Sequence, residues 1–446
     1  MANIFKSYDV RGIYPSDINE DIVYRIGRTL PKYLNTNEIA VATDNRTSSP
    51  GLFSALTKGI TESGASVIDL GMLSTPMLYF ASAKLGVGGA VMITASHNPA
   101  EYNGLKICRA NAVPVGLSSG LAEIRDIALA GNFPSPGVIG HKTAHDVRND
   151  YAAFMKSFAD FRGKKFRLAT DTAHAMGVLE LPILSGLDGA TIDTMLYETL
   201  EKPGTCPHEA NPLNTSTLSE LEVAVQASHA DMGIAFDGDA DRVGFVDETG
   251  TLVPMHLVTA LLALALLPKY PGATVLYDLR SSRSVKEVIE AAGGVAHECM
   301  VGHANIKKQM IREGALLAGE ASGHYYFSVS GYSAEMGTLP AILLMNLMAQ
   351  TGKTLSQLTA EVTKYAHSGE LNLEVADAPK LLRLVRARYS DGKISELDGI
   401  KIEYADWWFS LRSSNTEPLL RLNIEANSEA LLSKHKEELL ALLENK

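Results

Sequence analysis

Three times along the chain an apolar, strand-like segment ends in an aspartate: IAVATDNR (Ile39–Arg46), FRLATDTAH (Phe166–His174) and TVLYDLR (Thr274–Arg280). A helical segment follows, then another strand such as SVIDLG (Ser66–Gly71) or GATIDTM (Gly189–Met195). Each unit closes on a strand running into a polar loop: AVMITASHNP (Ala90–Pro99), MGIAFDGDADR (Met232–Arg242) and ALLAGEASGH (Ala315–His324). Strands alternating with helices are the α/β pattern, and the recurrence predicts three similar mixed α/β domains. Each offers one chemically loaded loop at a strand's carboxyl end, where ligands gather in open α/β sheets and a loop can be polar without breaking the core. At 446 residues the chain is in any case too long for one small core.

The tail differs. After Gly369 come the short strands LNLEV, GIKIEYAD, WWFSLRSS and LLRLNIEA and a terminal helix, SEALLSKHKEELLALLENK. These predict a small C-terminal α+β domain with its own polar loop, RSSNTEP (Arg412–Pro418). The expected division is 1–142, 143–251, 252–367 and 368–446.

Composition excludes several classes. A net charge of −11 argues against a general nucleic-acid binder, which shows a basic surplus, but not against a small anionic substrate held by a few local arginines. Cys108, Cys206 and Cys299 lie far apart, with neither a disulfide framework nor zinc spacing, so a reducing compartment, the cytoplasm, is expected. The first residues, MANIFKSYDVRGIYP, lack the apolar core of a signal peptide. The run LVTALLALALLP from Leu257 is too short to span a bilayer and reads as a buried helix.

The loops carry the chemistry. In DGDADR, Asp237, Asp239 and Asp241 alternate, so a tight turn converges their carboxylates on one hard cation, Mg²⁺ or Ca²⁺. A calcium EF-hand is disfavoured: its sixth position, normally Gly, is Arg242, and the flanks read as strands. A solvated acidic turn is disfavoured because three close anions with one Arg repel each other. Ser96 in TASHNP reads as a turn residue, a nucleophile or a phosphate carrier. A Ser96–His97 pair is disfavoured as a hydrolase couple, because adjacent residues of a strand point opposite ways. A phosphoserine instead supplies anionic oxygens to a metal held by three Asp. RSSNTEP offers a guanidinium fork, hydroxyls and an amide to a phosphate through Arg412, Ser414, Asn415 and Thr416, unless it is a plain surface turn. In GEASGH, Glu320 and Ser322 suit sugar hydroxyls and His324 can move a proton, though Glu320 alone reads equally as a structural carboxylate. Together these point to phosphoryl transfer on a phosphorylated sugar.

TASHNP, DGDADR, GEASGH and RSSNTEP, in this order, resemble the α-D-phosphohexomutase superfamily, and most closely its bacterial phosphomannomutase/phosphoglucomutases. YDVRG (Tyr8–Gly12) and VGHANIKKQM (Val301–Met310) also match, so the resemblance spans nearly the whole chain. It implies four domains around a central cleft, Ser96 carrying phosphate, and Mg²⁺ held by the three aspartates against it. It also implies a hexose 1,6-bisphosphate that turns over in the cleft, with glucose 1,6-bisphosphate as activator. Arg11 and Lys106 match positions beside the phosphoserine and, with His324, are candidates for charge stabilisation and proton transfer; a surface salt bridge is the plain alternative for the first two. Arg242 is placed to steady phosphate or carboxylates. His303 matches a histidine that meets the distal phosphate, and Arg280 stands where many relatives have Lys. The partner expected is a small phosphosugar, with no nucleic acid and no membrane, for a chain compatible with monomer or dimer.

Substrate choice is expected to follow the third residue of the GE-x-SGH loop. Here it is Ala321, whereas relatives carry Glu, Met or Gln by subgroup. Alanine makes no side-chain hydrogen bond, which favours acceptance of mannose and glucose over an amino sugar. It reports nothing if it faces away from the sugar. Phosphoglucosamine mutase, a metal-dependent sugar phosphatase and a non-catalytic sugar-phosphate binder are the alternatives.

Overall fold

The computed structural model describes residues 4–202, 204–375, 377–413 and 419–444. Each Asp-ended segment forms an inner strand of its own sheet, paired on both sides. Glu38–Thr43 lies between Ser66–Met72 and Gly89–Ile93, parallel to both, and Tyr102–Arg109 runs antiparallel beside Gly89–Ile93. The second sheet repeats this pattern. Phe166–Asp171 lies between Ala190–Leu196 and Met232–Phe236, and Val243–Asp247 is the antiparallel fourth strand. The third repeats it again with Thr274–Asp278 between Val295–Cys299 and Leu317–Gly319, and Tyr325–Val329 antiparallel outside. In every sheet the polar loop is the reversal from the third strand to the fourth. Gly89–Ile93 and Met232–Phe236 are buried at every residue, as strands covered on both faces must be.

The fourth sheet is antiparallel throughout, in the order Ala366–Glu374, Leu419–Ala426, Trp407–Ser413, Ile400–Glu403, Lys393–Ser395, with helices Ala378–Arg388 and Glu429–Glu444. The fold is therefore three mixed α/β units followed by an α+β unit.

Three edge strands lie at or across the expected divisions. Lys142–Ala144 pairs with Ser66–Met72 and crosses the division at 142, while Leu252–Val253 pairs back onto Val243–Asp247 and stays with the second sheet. Ala366–Glu374 spans the division at 367. Backbone pairing, absent from residue chemistry, decides where these short strands belong.

One apolar core runs through the first three units, joining Tyr79, Phe80, Tyr151, Phe236, Leu261 and Leu344 among others. Met255–Leu266, from the apolar run noted above, is a helix inside it, and among the described residues no helix is long and apolar enough to cross a membrane. A single carboxyl, Glu180 of the second unit, sits fully buried where the three meet. It accepts hydrogen bonds from Ser74 Oγ of the first (2.6 Å) and from Thr338 Oγ1 of the third. The fourth unit has its own core, built on Trp407, Phe409, Leu422 and Leu439. It meets the third through polar contacts: Arg283 N to Glu425 Oε1 (3.0 Å), Arg283 Nη2 to the Trp407 carbonyl (3.2 Å), Lys401 to Glu298, and Val301 N to Asp398 Oδ2 (3.3 Å).

Candidate active site

Ser96 leaves the buried strand Gly89–Ile93 in a left-handed conformation, φ +51°, with its amide held by Thr94 Oγ1 at 2.9 Å. Non-glycine residues adopt this region at a cost of about 1–2 kcal/mol, so the loop must be held from outside. The side chain is 4% exposed, and Oγ donates to Asp237 Oδ2 at 2.8 Å. His97 departs from expectation. Its Nδ1 lies 3.2 Å from Ser96 Oγ, because the positive φ turns the two neighbouring side chains to the same side. Burial, reinforced by Arg242 and Arg11, pushes the imidazole well below its ordinary pKa, so it stays neutral. Ser96 Oγ therefore stands between this ring and Asp237 Oδ2.

The carboxylates of Asp237, Asp239 and Asp241 are buried, with one oxygen of each within 4.8 Å of the others. The loop carrying them joins two antiparallel strands, so it is not the helix–loop–helix of an EF-hand. A Cβ on Gly238 would stand 2.3 Å from the Ser96 carbonyl oxygen, so only glycine lets the two loops touch. Thr75, at the start of the helix Thr75–Lys84, donates its hydroxyl to Asp239 Oδ2 at 2.6 Å. Burial, then Asp239 and Asp241, push the Asp237 carboxyl up to about 7. Burial works the same way on Asp241, but Lys106 and His324 overcome it and hold that group well below the carboxylate range. Asp239 Oδ1 is buried without a hydrogen-bond partner. Asp241 Oδ1 is likewise without one, and three hard oxygen donors, two with such an orphaned atom, fit a small divalent cation.

Lys106, on Tyr102–Arg109, places Nζ 2.6 Å from Asp239 Oδ2 and 2.5 Å from Asp241 Oδ2. Burial opposes its charge, yet Asp239, Asp241 and Asp237 outweigh it and raise the ammonium above an ordinary lysine. In this arrangement the Lys106 ammonium is a charge paired with the aspartate cluster. Arg11 is paired with Asp9 and donates Nη1 to Asn98 Oδ1 at 2.6 Å, within the serine loop.

The third loop meets the second directly. Val243 N donates to the Gly323 carbonyl at 3.0 Å, and Arg242 Nε lies 3.3 Å from His324 Nε2. His324 stands between Asp241 Oδ1 (3.3 Å) and Glu320 Oε2 (3.1 Å). Burial lowers its pKa, but the two carboxylates prevail and carry it to about 9. Glu320 is buried and already accepts from Gly302 N (2.9 Å) and the Tyr326 hydroxyl (2.7 Å). Ser322 Oγ lies 3.1 Å from His324 Nδ1, and the Ala321 amide donates to Asp278 Oδ2 at 2.9 Å. His303 opens the helix His303–Glu313, with Nδ1 3.7 Å from Glu335 Oε1 and its ring edge-on to Tyr8 of the first unit.

Of the fourth loop, Arg412 is described; Ser414, Asn415 and Thr416 lie outside the described residues. Glu370 gathers three guanidinium groups: Arg412 Nη2 (3.6 Å), Arg421 Nη1 (3.1 Å) and, from the third unit, Arg280 Nη1 (3.4 Å). Arg280 is anchored by Asp278, 2.5 Å from its Nη2. Burial lowers the Arg412 pKa, with Arg280 adding to it. Ser96 to Asp237, Arg242 to His324, and Arg280 to Glu370 thus link all four units.

Thr75 and Glu370 carry no role in the sequence reading, nor does Arg46, which donates from Nη2 to the Ser96 carbonyl at 2.9 Å. Arg46 sits two residues beyond Asp44, as Arg280 sits two beyond Asp278, and that repeated Asp-x-Arg was the available signal. Glu370 and Thr75 have no local signal, because their partners lie on other units.

Four family models match in chain order: the phosphoglucomutase/phosphomannomutase alpha/beta/alpha domains I (residues 2–134), II (149–250) and III (256–365) and the C-terminal domain (370–442). The chain belongs to the phosphoglucomutase/phosphomannomutase family. Among curated relatives, the phosphohexose mutases of Xanthomonas campestris pv. campestris are 37% identical over 443 residues, covering 96% of each chain. The phosphomannomutase of Methanocaldococcus jannaschii is 36% identical over 449 residues, 99% of this chain and 97% of its own. A crystal structure of a family protein from Burkholderia thailandensis superposes with a TM-score of 0.90 at 28% identity, covering 100% of this chain and 98% of that one. This phosphohexomutase is therefore an isomerase acting on phosphosugars, and its buried aspartate cluster suits the metal on which the family depends.

Proposed function

We propose that this phosphohexomutase interconverts hexose 1-phosphates and hexose 6-phosphates of mannose and glucose through a phosphoserine at Ser96 and a hexose 1,6-bisphosphate. The observation that supports this most directly is Ser96 Oγ, 2.8 Å from Asp237 Oδ2 at the edge of a three-carboxylate cluster. A phosphoryl carrier needs its reacting oxygen beside the metal-binding carboxylates, and this serine stands there.

In this reading the unit 1–142 carries the phosphoserine loop, 143–251 the metal loop, 252–367 the sugar loop and 368–446 the phosphate loop, apart from the short edge strands. Asp237, Asp239 and Asp241, with the Ser96 phosphate, would hold magnesium, which when bound would supply positive charge against the phosphoryl group. Lys106 and Arg11 add positive charge beside Ser96, and Arg242 steadies the same face. The Oγ–P bond of Ser96 breaks as the sugar hydroxyl bonds phosphorus, and the hydroxyl proton is in balance with the one Ser96 regains. His324, held as a cation, is suited to donate rather than to accept. Glu320 Oε1 and Ser322 receive sugar hydroxyls. Arg280, His303, Arg412, Ser414, Asn415 and Thr416 hold the phosphate that does not react, in both orientations of the bisphosphate. Glucose 1,6-bisphosphate serves as activator by loading Ser96. Cytoplasmic work is in keeping with its unpaired cysteines.

The test is turnover of glucose 1-phosphate, mannose 1-phosphate and glucosamine 1-phosphate with Mg²⁺ and a trace of glucose 1,6-bisphosphate. The expected result is comparable isomerisation of the first two, lost in Ser96→Ala. Preference for the amino sugar would overturn the reading of Ala321. Phosphate release as fast as isomerisation would make the protein a phosphatase.

A further inference from the structure

Arg46 follows an inner strand of the first sheet and is 5% exposed. A guanidinium carries five N–H donors, and here each has an acceptor. Nε donates to Asp44 Oδ2 at 3.1 Å. Nη1 donates to the carbonyls of Pro99 (2.6 Å) and Tyr102 (2.8 Å), and Nη2 to those of Ser96 (2.9 Å) and Asn98 (2.6 Å). Four carbonyls of one short loop thus point at a single cation. Oxygens brought together this way repel one another, and buried ones need donors. Asp44 is fastened in turn, accepting from Arg46 N (3.0 Å) and Ser49 Oγ (2.6 Å).

The other two α/β units show that this grip is not a general requirement of the fold. In the third, Arg280 makes the same bonds to Asp278 (N to Oδ1 at 2.8 Å, Nε to Oδ2 at 3.1 Å), yet turns its Nη1 to Glu370. In the second, the corresponding residue after Asp171 is Ala173, which has no side chain to donate. The clamp occurs in the unit whose loop carries Ser96, and it acts on that residue's own carbonyl. With the Ser96 amide on Thr94 Oγ1 and its carbonyl on Arg46, both peptide groups flanking the serine are fastened.

We propose that Arg46 is a positioning residue for phosphoryl transfer: its fork holds the serine loop in its left-handed turn and so sets where Ser96 Oγ stands against the aspartate cluster. This rests on Ser96 being the phosphoryl carrier. Lysine at this place has three donors and no planar fork, so it keeps the charge and loses the grip.

The test uses full-length Arg46→Lys and Arg46→Ala beside wild type and Ser96→Ala. The expected result is kcat lower by about 10²-fold in both Arg46 variants with little change in KM, the loss typical of a reacting group displaced by about 1 Å. Guanidinium ion added to Arg46→Ala should restore part of the rate and none in Ser96→Ala. Should the alanine variant not fold, hydrogen exchange in Arg46→Lys decides: faster exchange confined to the serine loop supports the role, unchanged exchange overturns it. Wild-type kcat in a variant that only melts earlier would reduce Arg46 to a structural residue. Mass spectrometry of Ser96 after incubation with glucose 1,6-bisphosphate separates the two claims. An unmodified wild-type Ser96, with Ser96→Ala still active, overturns the carrier and the clamp together. A phosphorylated wild type with unaffected Arg46 variants overturns the clamp alone.

Discussion

At the scale of single residues, the site depends on how closely two backbones approach. Gly238 lies against the Ser96 carbonyl, and a methyl group there has no room, since both neighbours are main chain. Gly238→Ala is expected to push the serine loop off the aspartates and lower kcat by about 10²-fold. Far-UV circular dichroism should remain that of wild type, and steady-state kinetics check the rate. That the serine loop and the aspartate loop stand out was legible in the sequence, because Ser96 and Asp237, Asp239 and Asp241 announce themselves by type and spacing. Their orientation was not. His97 was expected to point away from Ser96, yet a single left-handed φ brings the two together. Arg46 escaped notice because its partners are carbonyls, which every residue has.

At the scale of elements, each Asp-ended strand was readable, since buried apolar runs bounded by polar turns are a strong signal. Strands of two or three residues, such as Leu252–Val253 and Lys142–Ala144, carry no periodicity and are defined only by a neighbour already in place. The metal loop joins two fully buried strands, so a cation bound there is tied to the sheet itself. Added Mg²⁺ is therefore expected to raise the melting temperature, with a stabilisation of about 2.7 kcal/mol at a hundredfold excess over Kd. Asp239→Asn should lose most of that shift and Ser96→Ala should keep most of it, as read by thermal denaturation with and without EDTA.

At the scale of the whole molecule, Glu180 ties three units through one buried carboxyl, and this has a pH signature. Burial pushes it up to about 7, from 4.5 for an unperturbed glutamate. Between those values the unfolded chain releases a proton that the folded chain retains, so stability falls as pH rises through the window. Glu180→Gln removes that slope. Relative to the variant, wild type should lose up to about 3 kcal/mol between pH 4.5 and 8, measured by denaturant unfolding across that range. The sequence revealed three repeated units but not that they share one apolar mass, because a core residue looks the same whichever unit it packs against. That shared mass has a mechanical meaning. Opening an apolar seam costs about 25 cal/mol for each Å² exposed, whereas polar groups at a parted seam recover hydrogen bonds from water. Serine, metal and sugar loops are therefore mounted on one stationary jaw. The fourth unit, with its separate core and polar face toward the third, is the jaw free to move, and in the proposed reaction that movement would give a sugar carrying two phosphates room to turn end for end.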